Sequence, residues 1–362
     1  MFIIFISIFT LVLLLLHWLL AFFLIRLLGL SKSAARKMYL IFVLLLANFL
    51  FSNIILAAKV NWFTKLYYTL SGLWLGIFAN LVISLILVWL VFLIARALKK
   101  RIKDYILRWL VFGGAIVLSL FGIWQAWNPT VVSYEVYIKD LPSFWEGKRI
   151  IHITDLHLGP VYGSNFFKQI VRKVGDLQPD TILITGDLFD GREMDFSWVG
   201  EEFKILNVPQ GIYYSLGNHD LSLGKEESNW NKDGLVKLLS NQMVEVEGLQ
   251  FIGLDYGQEI REDILTSMGY DPGKPAVLLF HEPKEADFFR SSGIDLQLAG
   301  HTHNGQIFPF NFLVKSVYKG FNRGLFVDND FSLLTSSGLG TWGPSMRTSS
   351  RSEIVNIILK SK

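Results

Sequence analysis

The sequence predicts an N-terminal bundle of four membrane-spanning helices followed by an α/β layered domain, and three observations carry that prediction. Apolar stretches long enough to cross a bilayer fill the first third of the chain. Charge is divided unevenly along its length. Beyond Asn128 and Pro129, short apolar runs ending in polar residues alternate with amphipathic stretches.

A bilayer core about 30 Å thick needs about 20 apolar residues per helix, and spans are expected near Phe2 to Ile25, Met38 to Ala58, Leu66 to Ile94 and Trp109 to Trp127. Buried helices of a soluble protein would carry one apolar stripe, whereas "LVLLLLHWLLAFFLI" is apolar on every face. The first span lacks a basic leader and a short apolar region followed by small residues, so it is expected to stay in the membrane rather than be cleaved. Residues 1–127 hold twelve Lys/Arg and one acidic residue, Asp104; the remainder holds twenty-two Lys/Arg and thirty Asp/Glu. The overall charge of +3 therefore conceals a basic membrane half and an acidic polar half, and it does not mark a nucleic-acid footprint.

The basic residues set an orientation. Arg26, Lys32, Arg36 and Lys37 fall in the first loop, and Arg96, Lys99, Lys100, Arg101, Lys103 and Arg108 cluster around the third. The positive-inside rule puts both loops in the cytoplasm, which leaves the N-terminus and everything after Trp127 outside. His17, Asn48, Asn53 and Asn80 are polar groups within the spans, and Gly72 and Gly76 form a GxxxG spacing. Helix-to-helix hydrogen bonding and close packing are the expected reasons for them.

In the second region, "KRIIHIT", "TILITGD", "GIYYSLGN", "AVLLFHEP" and "IDLQLAGH" read as buried strands ending in polar residues. Helices are expected at Asn165 to Leu177, Ser197 to Leu206, Asp233 to Ser240 and Lys284 to Ser292, with a polar loop from Leu221 to Lys232. The later strands "GLFVDN", "FSLLTSS" and "EIVNIIL" have no helices between them, which predicts a mixed sheet arrangement. The expected domains are residues 1–127, a membrane domain, and 128–362, the layered α/β domain. There is no cysteine, hence no disulfide framework and no thiolate nucleophile.

The strand ends gather the chemistry. The first strand ends in Asp155 and His157, the second in Asp187 and Asp190, the third in Asn218, His219 and Asp220, the fourth in His281, and the fifth in His301 and His303. Residues two apart in an extended segment share a face, so one strand end can offer carboxylate and imidazole to one ion. A turn or a helix cap would explain any one fragment alone. Five of the seven histidines falling at such ends, each beside Asp, Asn or Gly, points instead to a clustered metal site, with His17 and His152 left over. Imidazole and carboxylate donors without thiolate suit Mn, Fe, Zn or related ions. The number of donors is large enough for two ions and for hydrolytic two-metal chemistry.

These five blocks, "DLH", "GDLFD", "GNHD", "FHEP" and "GHTH", resemble in order the calcineurin-like metallophosphoesterase superfamily, whose pattern is D-x-H, GD-x-x-D, GNH-D/E, a lone H and GH-x-H. "TSSGLGTWGPSMR" is similar to the closing segment of its exported or membrane-anchored bacterial branch. The resemblance implies a four-layer αββα sandwich and two divalent ions, with Mn expected ahead of Fe, Zn, Ni or Mg. Asp155, His157, Asp187 and His303 would hold the first ion, Asp187 would bridge, and Asn218, His281 and His301 would complete the second. His219 would act on the scissile phosphate and Asp190 would orient it. Where phosphoprotein phosphatases of the superfamily carry Arg directly after the second aspartate, this chain has Gly191 and then Arg192, which argues against a phosphoprotein substrate. Arg323 and Arg347 are the candidates for a phosphate-binding cation.

The expected protein is thus a multi-pass membrane phosphoesterase, with its catalytic domain outside the cytoplasm, that attacks phosphorus with metal-bound hydroxide. Its anchoring favours a lipid-linked or envelope phosphate ester, with membrane lipids rather than nucleic acid as the other partner. The alternatives are a broad phosphomonoesterase or nucleotide phosphodiesterase that is merely anchored, and a non-catalytic membrane sensor of phosphate ligands.

Overall fold

The computed structural model describes residues 2–223, 230–261 and 263–362. It divides into two compact units, Met1–Trp124 with Gly343–Met346, and Gln125–Trp342 with Arg347–Lys362.

The first unit contains α1 (Phe2–Leu28), α2 (Lys32–Ala58), α3 (Trp62–Ala97) and α4 (Asp104–Trp127), all long and apolar enough to cross a membrane. Ser31 caps α2, and Asn61 opens α3 through a capping box with Thr64, so each helix start satisfies backbone donors locally. Leu20, Leu24, Phe42, Phe78 and Val111 form the buried seam. Leu11, Ile54 and Val117 face outward, as lipid-facing side chains must, with Trp62 and Trp109 near helix ends where an interfacial ring sits.

The polar groups in the spans mostly bond within the unit as expected. The Asn48 amide donates to Ser71 Oγ across α2 and α3, and Asn80 donates to Ser119 Oγ across α3 and α4. Asn53 differs, donating to the Phe49 carbonyl of its own helix. His17 stacks on Phe78 with ring centroids 3.7 Å apart. The glycine pair does not seat another helix: a Cβ on Gly72 would lie 2.8 Å from the Gly343 carbonyl oxygen, and one on Gly76 would overlap Met346. Those glycines make room for the returning segment Gly343–Met346 that belongs to this unit.

The second unit runs β1 (Thr130–Ile138), β2 (Arg149–Ile153), α5 (Ser164–Asp176), β3 (Thr181–Thr185), α6 (Ser197–Phe203), β4 (Ile212–Ser215), β5 (Val236–Leu238), β6 (Gln242–Val246), β7 (Leu249–Leu254), α7 (Ile264–Ser267), β8 (Ala276–Phe280), α8 (Ala286–Ser291), β9 (Leu296–Ala299), α9 (Phe310–Val317), β10 (Gly324–Asp328), β11 (Phe331–Thr335) and β12 (Glu353–Ser361). Two six-stranded sheets result, ordered β1-β12-β2-β3-β4-β5 and β10-β11-β9-β8-β7-β6. Both are mixed: β2, β3, β4 and β5 run parallel while β12 pairs antiparallel with β2, and β10 pairs antiparallel with β11.

Alternation along the strands builds the layers. Ile150 and Leu183 of the first sheet meet Phe251, Leu279 and Leu298 of the second in one core. Their neighbours Ile151, Ile153, Ile182 and Ile184 face the other way, onto Phe167, Ile170 and Val171 of α5 and Val199 and Phe203 of α6. On the far side Ile252, Leu278 and Leu333 pack with Leu265 of α7 and Phe289 of α8. Helices, sheet, sheet, helices is the αββα order. Strands covered on both faces are apolar at successive positions, which is why "TILIT" and "AVLLF" show no polar alternation.

Two expectations need correction or limits. Asp233 to Ser240 contains no helix; Val236–Leu238 pairs parallel with Ile212–Tyr214 as the edge strand β5, because tertiary pairing outweighs the local pattern of so short a segment. Within the expected polar loop Leu221 to Lys232, residues 224–229 lie outside the described residues. The strands β1, β6 and β7 and the helices α7 and α9 are not among the expected elements.

Candidate active site

The polar ends of β2, β3, β4, β8 and β9 carry the predicted residues, and they converge. Among the described residues, Asp155, His157 and His303 present ligand atoms within 4.8 Å of one another; so do His157, Asp187 and His219, and Asp187, His281 and His301. His303 Nε2 lies 3.1 Å from His157 Nε2 and 3.2 Å from Asp155 Oδ1. Asp187 Oδ2 lies between the two sides, 3.7 Å from His157 Nε2 and 3.3 Å from His281 Nε2.

The backbone is bent to bring these side chains together. Asp155, His157, Asp187, His301 and His303 all have positive φ, between 46° and 67°. Non-glycine residues adopt that region at a cost, and its concentration here marks a site that the surrounding packing enforces. Two glycines permit the crowding: a Cβ on Gly217 would fall 2.2 Å from Asp187 Oδ1, and one on Gly300 would fall 2.3 Å from Asp155 Oδ2. Backbone donors and a hydroxyl then fix the carboxylates. Asp155 Oδ2 accepts from the His301 amide and the Thr154 hydroxyl, and Asp187 Oδ1 accepts from the His219 amide.

The donor set fits divalent cations. Asp155, Asp187, His157, His281 and His303 are buried, yet their oxygen and nitrogen atoms face one another in a space where like-charged acceptors would otherwise repel. Asn218 Oδ1 and His281 Nε2 are buried without hydrogen-bond partners, as atoms reserved for ligation would be. His281 donates Nδ1–H to the Thr185 carbonyl at 2.7 Å, leaving Nε2 as the inward lone pair.

Charge follows the same geometry. Burial opposes ionisation of Asp155, but His303, His281 and His157 hold its carboxyl well below the usual range. Asp187 is likewise lowered, against burial, by His281 and His157. Burial also opposes charge on His281, yet Asp187 and Asp155 raise it to about 10. Burial lowers His301 to about 3, helped by neighbouring His281, and lowers His303 to about 4. The carboxylates are thus ionised and the His301 and His303 imidazoles neutral, as ligation requires, while the proton that Asp187 and Asp155 hold on His281 is the one a bound cation would displace.

Comparison with known proteins decides the family. Residues 148–305 match the calcineurin-like phosphoesterase family. An uncharacterized metallophosphoesterase of Campylobacter jejuni is 37% identical over 283 residues, covering 75% of each chain. The chain is a calcineurin-like metallophosphoesterase. A zebrafish transmembrane protein with a metallophosphoesterase domain is 31% identical over 274 residues, 67% of this chain and 60% of that one. An uncharacterized metallophosphoesterase of Aquifex aeolicus is 28% identical over 262 residues, 68% of this chain and 98% of that one. The protein is therefore a membrane-associated phosphoric ester hydrolase whose fold binds divalent metals.

Around the phosphoesterase ligands, Asp190 Oδ1 lies 3.6 Å from His157 Nδ1, and the His157 and His219 rings meet edge-on with centroids 4.8 Å apart. Neither arginine proposed for phosphate is suited to it. Arg323 pairs with buried Glu353, and Arg347 is itself fully buried, donating to Gly340, Ser350 and His303.

Other neighbours of the site have roles that the sequence does not assign. Asp220 Oδ2 accepts from the amides of Asp187 and Gly217 and Oδ1 from that of Phe189, so it braces the turn that presents Asp187. Burial and Asp187 raise its carboxyl. Tyr256, Tyr318 and Glu282 surround His301, with ring centroids 5.5 and 6.2 Å away and Glu282 Oε1 3.8 Å from Nε2. Glu282 was visible beside His281 in "FHEP"; the tyrosines follow no spacing that a sequence reading could use.

Proposed function

We propose that the protein hydrolyses a lipid-linked or envelope phosphate ester outside the cytoplasm, using two divalent ions, with residues 1–127 as the membrane anchor and 128–362 as the catalytic domain. The observation that carries this reading is the position of Asp187 Oδ2 between His157 Nε2 and His281 Nε2, which makes it a carboxylate shared by two ligand groups.

Asp155, His157 and His303 with Asp187 would hold one ion; Asn218, His281 and His301 with Asp187 would hold the other. The donor set of imidazole, carboxylate and amide oxygen favours manganese or a similar borderline ion. Bound ions supply Lewis acidity toward the phosphoryl oxygens and a hydroxide nucleophile at neutral pH. His219, half-buried at the edge of the ligand cluster with its amide anchored on Asp187, donates its ring proton toward the leaving oxygen. Asp190 Oδ1, 3.6 Å from His157 Nδ1, puts negative charge behind that ring, which favours a proton on Nδ1 and leaves Nε2 for the ion; the His219 ring meets the same imidazole edge-on.

Outward orientation rests on the basic first and third loops, and a membrane-borne substrate rests on anchoring by four spans. Manganese-loaded protein in lipid vesicles should release phosphate or an alcohol from a diacyl phosphate ester faster than from a nucleotide phosphodiester or a water-soluble monoester. Preference for the nucleotide would favour the anchored phosphodiesterase alternative. Absence of turnover with both ions bound would favour a sensor.

A further inference from the structure

The helix α9 and its flanks have a surface that the catalytic chemistry does not use. Phe310, Phe312, Leu313 and Val317 are between 53% and 63% exposed, Phe308 is 42% exposed, and α9 has no buried residue. Trp342, 59% exposed, joins the same surface through reciprocal hydrogen bonds between its backbone and the Gln306 side chain. Lys315 and Lys319 are exposed on the same segment. So much aromatic and aliphatic surface on one short segment is not the scattered exposure of a water-facing helix.

We propose that α9 is an interfacial helix that seats on the lipid surface and holds the mouth of the active site against it. This deepens the substrate reading above and rests on it for its catalytic consequence. The occupant follows from three facts. Exposed aromatic and aliphatic side chains with lysines are the composition by which a helix lies in the headgroup boundary and attracts anionic lipid. The catalytic chain is held to the bilayer, because α4 ends at Trp127 and β1 begins at Thr130. Lastly, α9 follows the ligand turn at once: His303–Gly305 form a tight turn with positive φ, and the Phe310 amide donates to the Ile307 carbonyl just beyond it. A phosphate ester carried on acyl chains would meet the ligands from the side on which α9 sits.

The absence of cysteine makes the test direct. Full-length Phe312→Cys and Asp287→Cys proteins, the latter on exposed α8, are labelled with an environment-sensitive fluorophore and reconstituted in phosphatidylethanolamine and phosphatidylglycerol vesicles. The proposal predicts blue-shifted emission at 312 that is quenched several-fold by acyl-chain spin-labelled lipid, with water-like emission and iodide quenching at 287. Water-like emission at 312 overturns it. So does shielding from iodide without lipid quenching, which would indicate a protein partner or a second copy. In parallel, Phe312→Glu with Leu313→Glu should raise the KM for a vesicle-borne diacyl phosphate ester about tenfold while leaving turnover of a soluble bis-ester unchanged. If the parent protein does not hydrolyse the lipid ester, the substrate reading fails while the quenching result still decides the docking.

Discussion

The guanidinium of Arg347 stands behind the imidazole of His303, with Nη2 3.1 Å from Nδ1 and Nη1 3.4 Å from the His303 carbonyl oxygen. Two other ligand histidines have oxygens behind them, Asp190 Oδ1 3.6 Å from His157 Nδ1 and the Thr185 carbonyl bonded to His281 Nδ1. Behind His303 stands a cation instead, and burial together with Arg347 disfavours positive charge on that ring. Arg347 also ties this turn to Gly340 and Ser350, so one buried cation fixes the position of the turn that carries the ligand.

Arg347→Gln should therefore weaken binding of the ion held by His303 by about 10–100-fold, the usual effect of losing a partner behind a ligand. Arg347→Lys should recover little, since an ammonium cannot reproduce the planar fork. Manganese titration followed by electron paramagnetic resonance checks this: the variant should show a mononuclear signal at ion concentrations where the parent shows spin-coupled pairs.

His219 and Asp187 should separate by phenotype. His219→Asn should lower turnover by about 10²–10⁴-fold with both ions retained, the range for loss of a general acid. Asp187→Asn should lose bound metal and activity together. Metal content by mass spectrometry distinguishes them, and equal metal loss in both variants would make His219 a ligand, an arrangement its proximity to His157 and Asp187 also permits.

Gly300→Ala tests the crowded approach of backbone to carboxylate. Its Cβ would overlap the Thr154 hydroxyl and Asp155 Oδ2. The Asp155 side chain must then move, so metal content should fall while the circular dichroism of the helices stays that of the parent.

A pH effect on stability should come from Asp295, outside the site. Burial, with Asp330 and Asp140 nearby, raises its carboxyl to about 6, while Oδ2 accepts from the Ala276 amide. A carboxyl raised on folding contributes stability that is full below its unfolded value, about 3.9, and is lost as pH rises through about 6. Asp295→Asn keeps an acceptor for Ala276 without the charge. Its melting temperature relative to the parent should climb between about pH 4 and 6 and then level off.

Much of this was legible in the sequence because its signals are local. Asp155, His157, Asp187, His281, His301 and His303 follow short, largely apolar strands, and the structure brings all six together. The four spans were readable because lipid demands apolar length on every face. What was missed depends on long-range pairing: β5 reads as helix until β4 lies beside it, and β1 is held by its parallel pairing with β12 from the far end of the chain. Arg347 looked like a cation for phosphate because nothing in "SMRTSS" reveals that it folds inward onto His303. Gly72 and Gly76 looked like a helix contact for the same reason, since the segment they accommodate lies over 260 residues away.

The central claim is a pair of ions sharing Asp187. The most direct measurement is a manganese titration of chelator-stripped full-length protein, with bound ions per chain and bis-ester hydrolysis recorded on the same samples. The account predicts two ions at saturation, with hydrolysis rising as the second binds and neither ion retained at its full affinity in Asp187→Asn. One ion per chain with full activity, or activity that survives complete stripping, would contradict it.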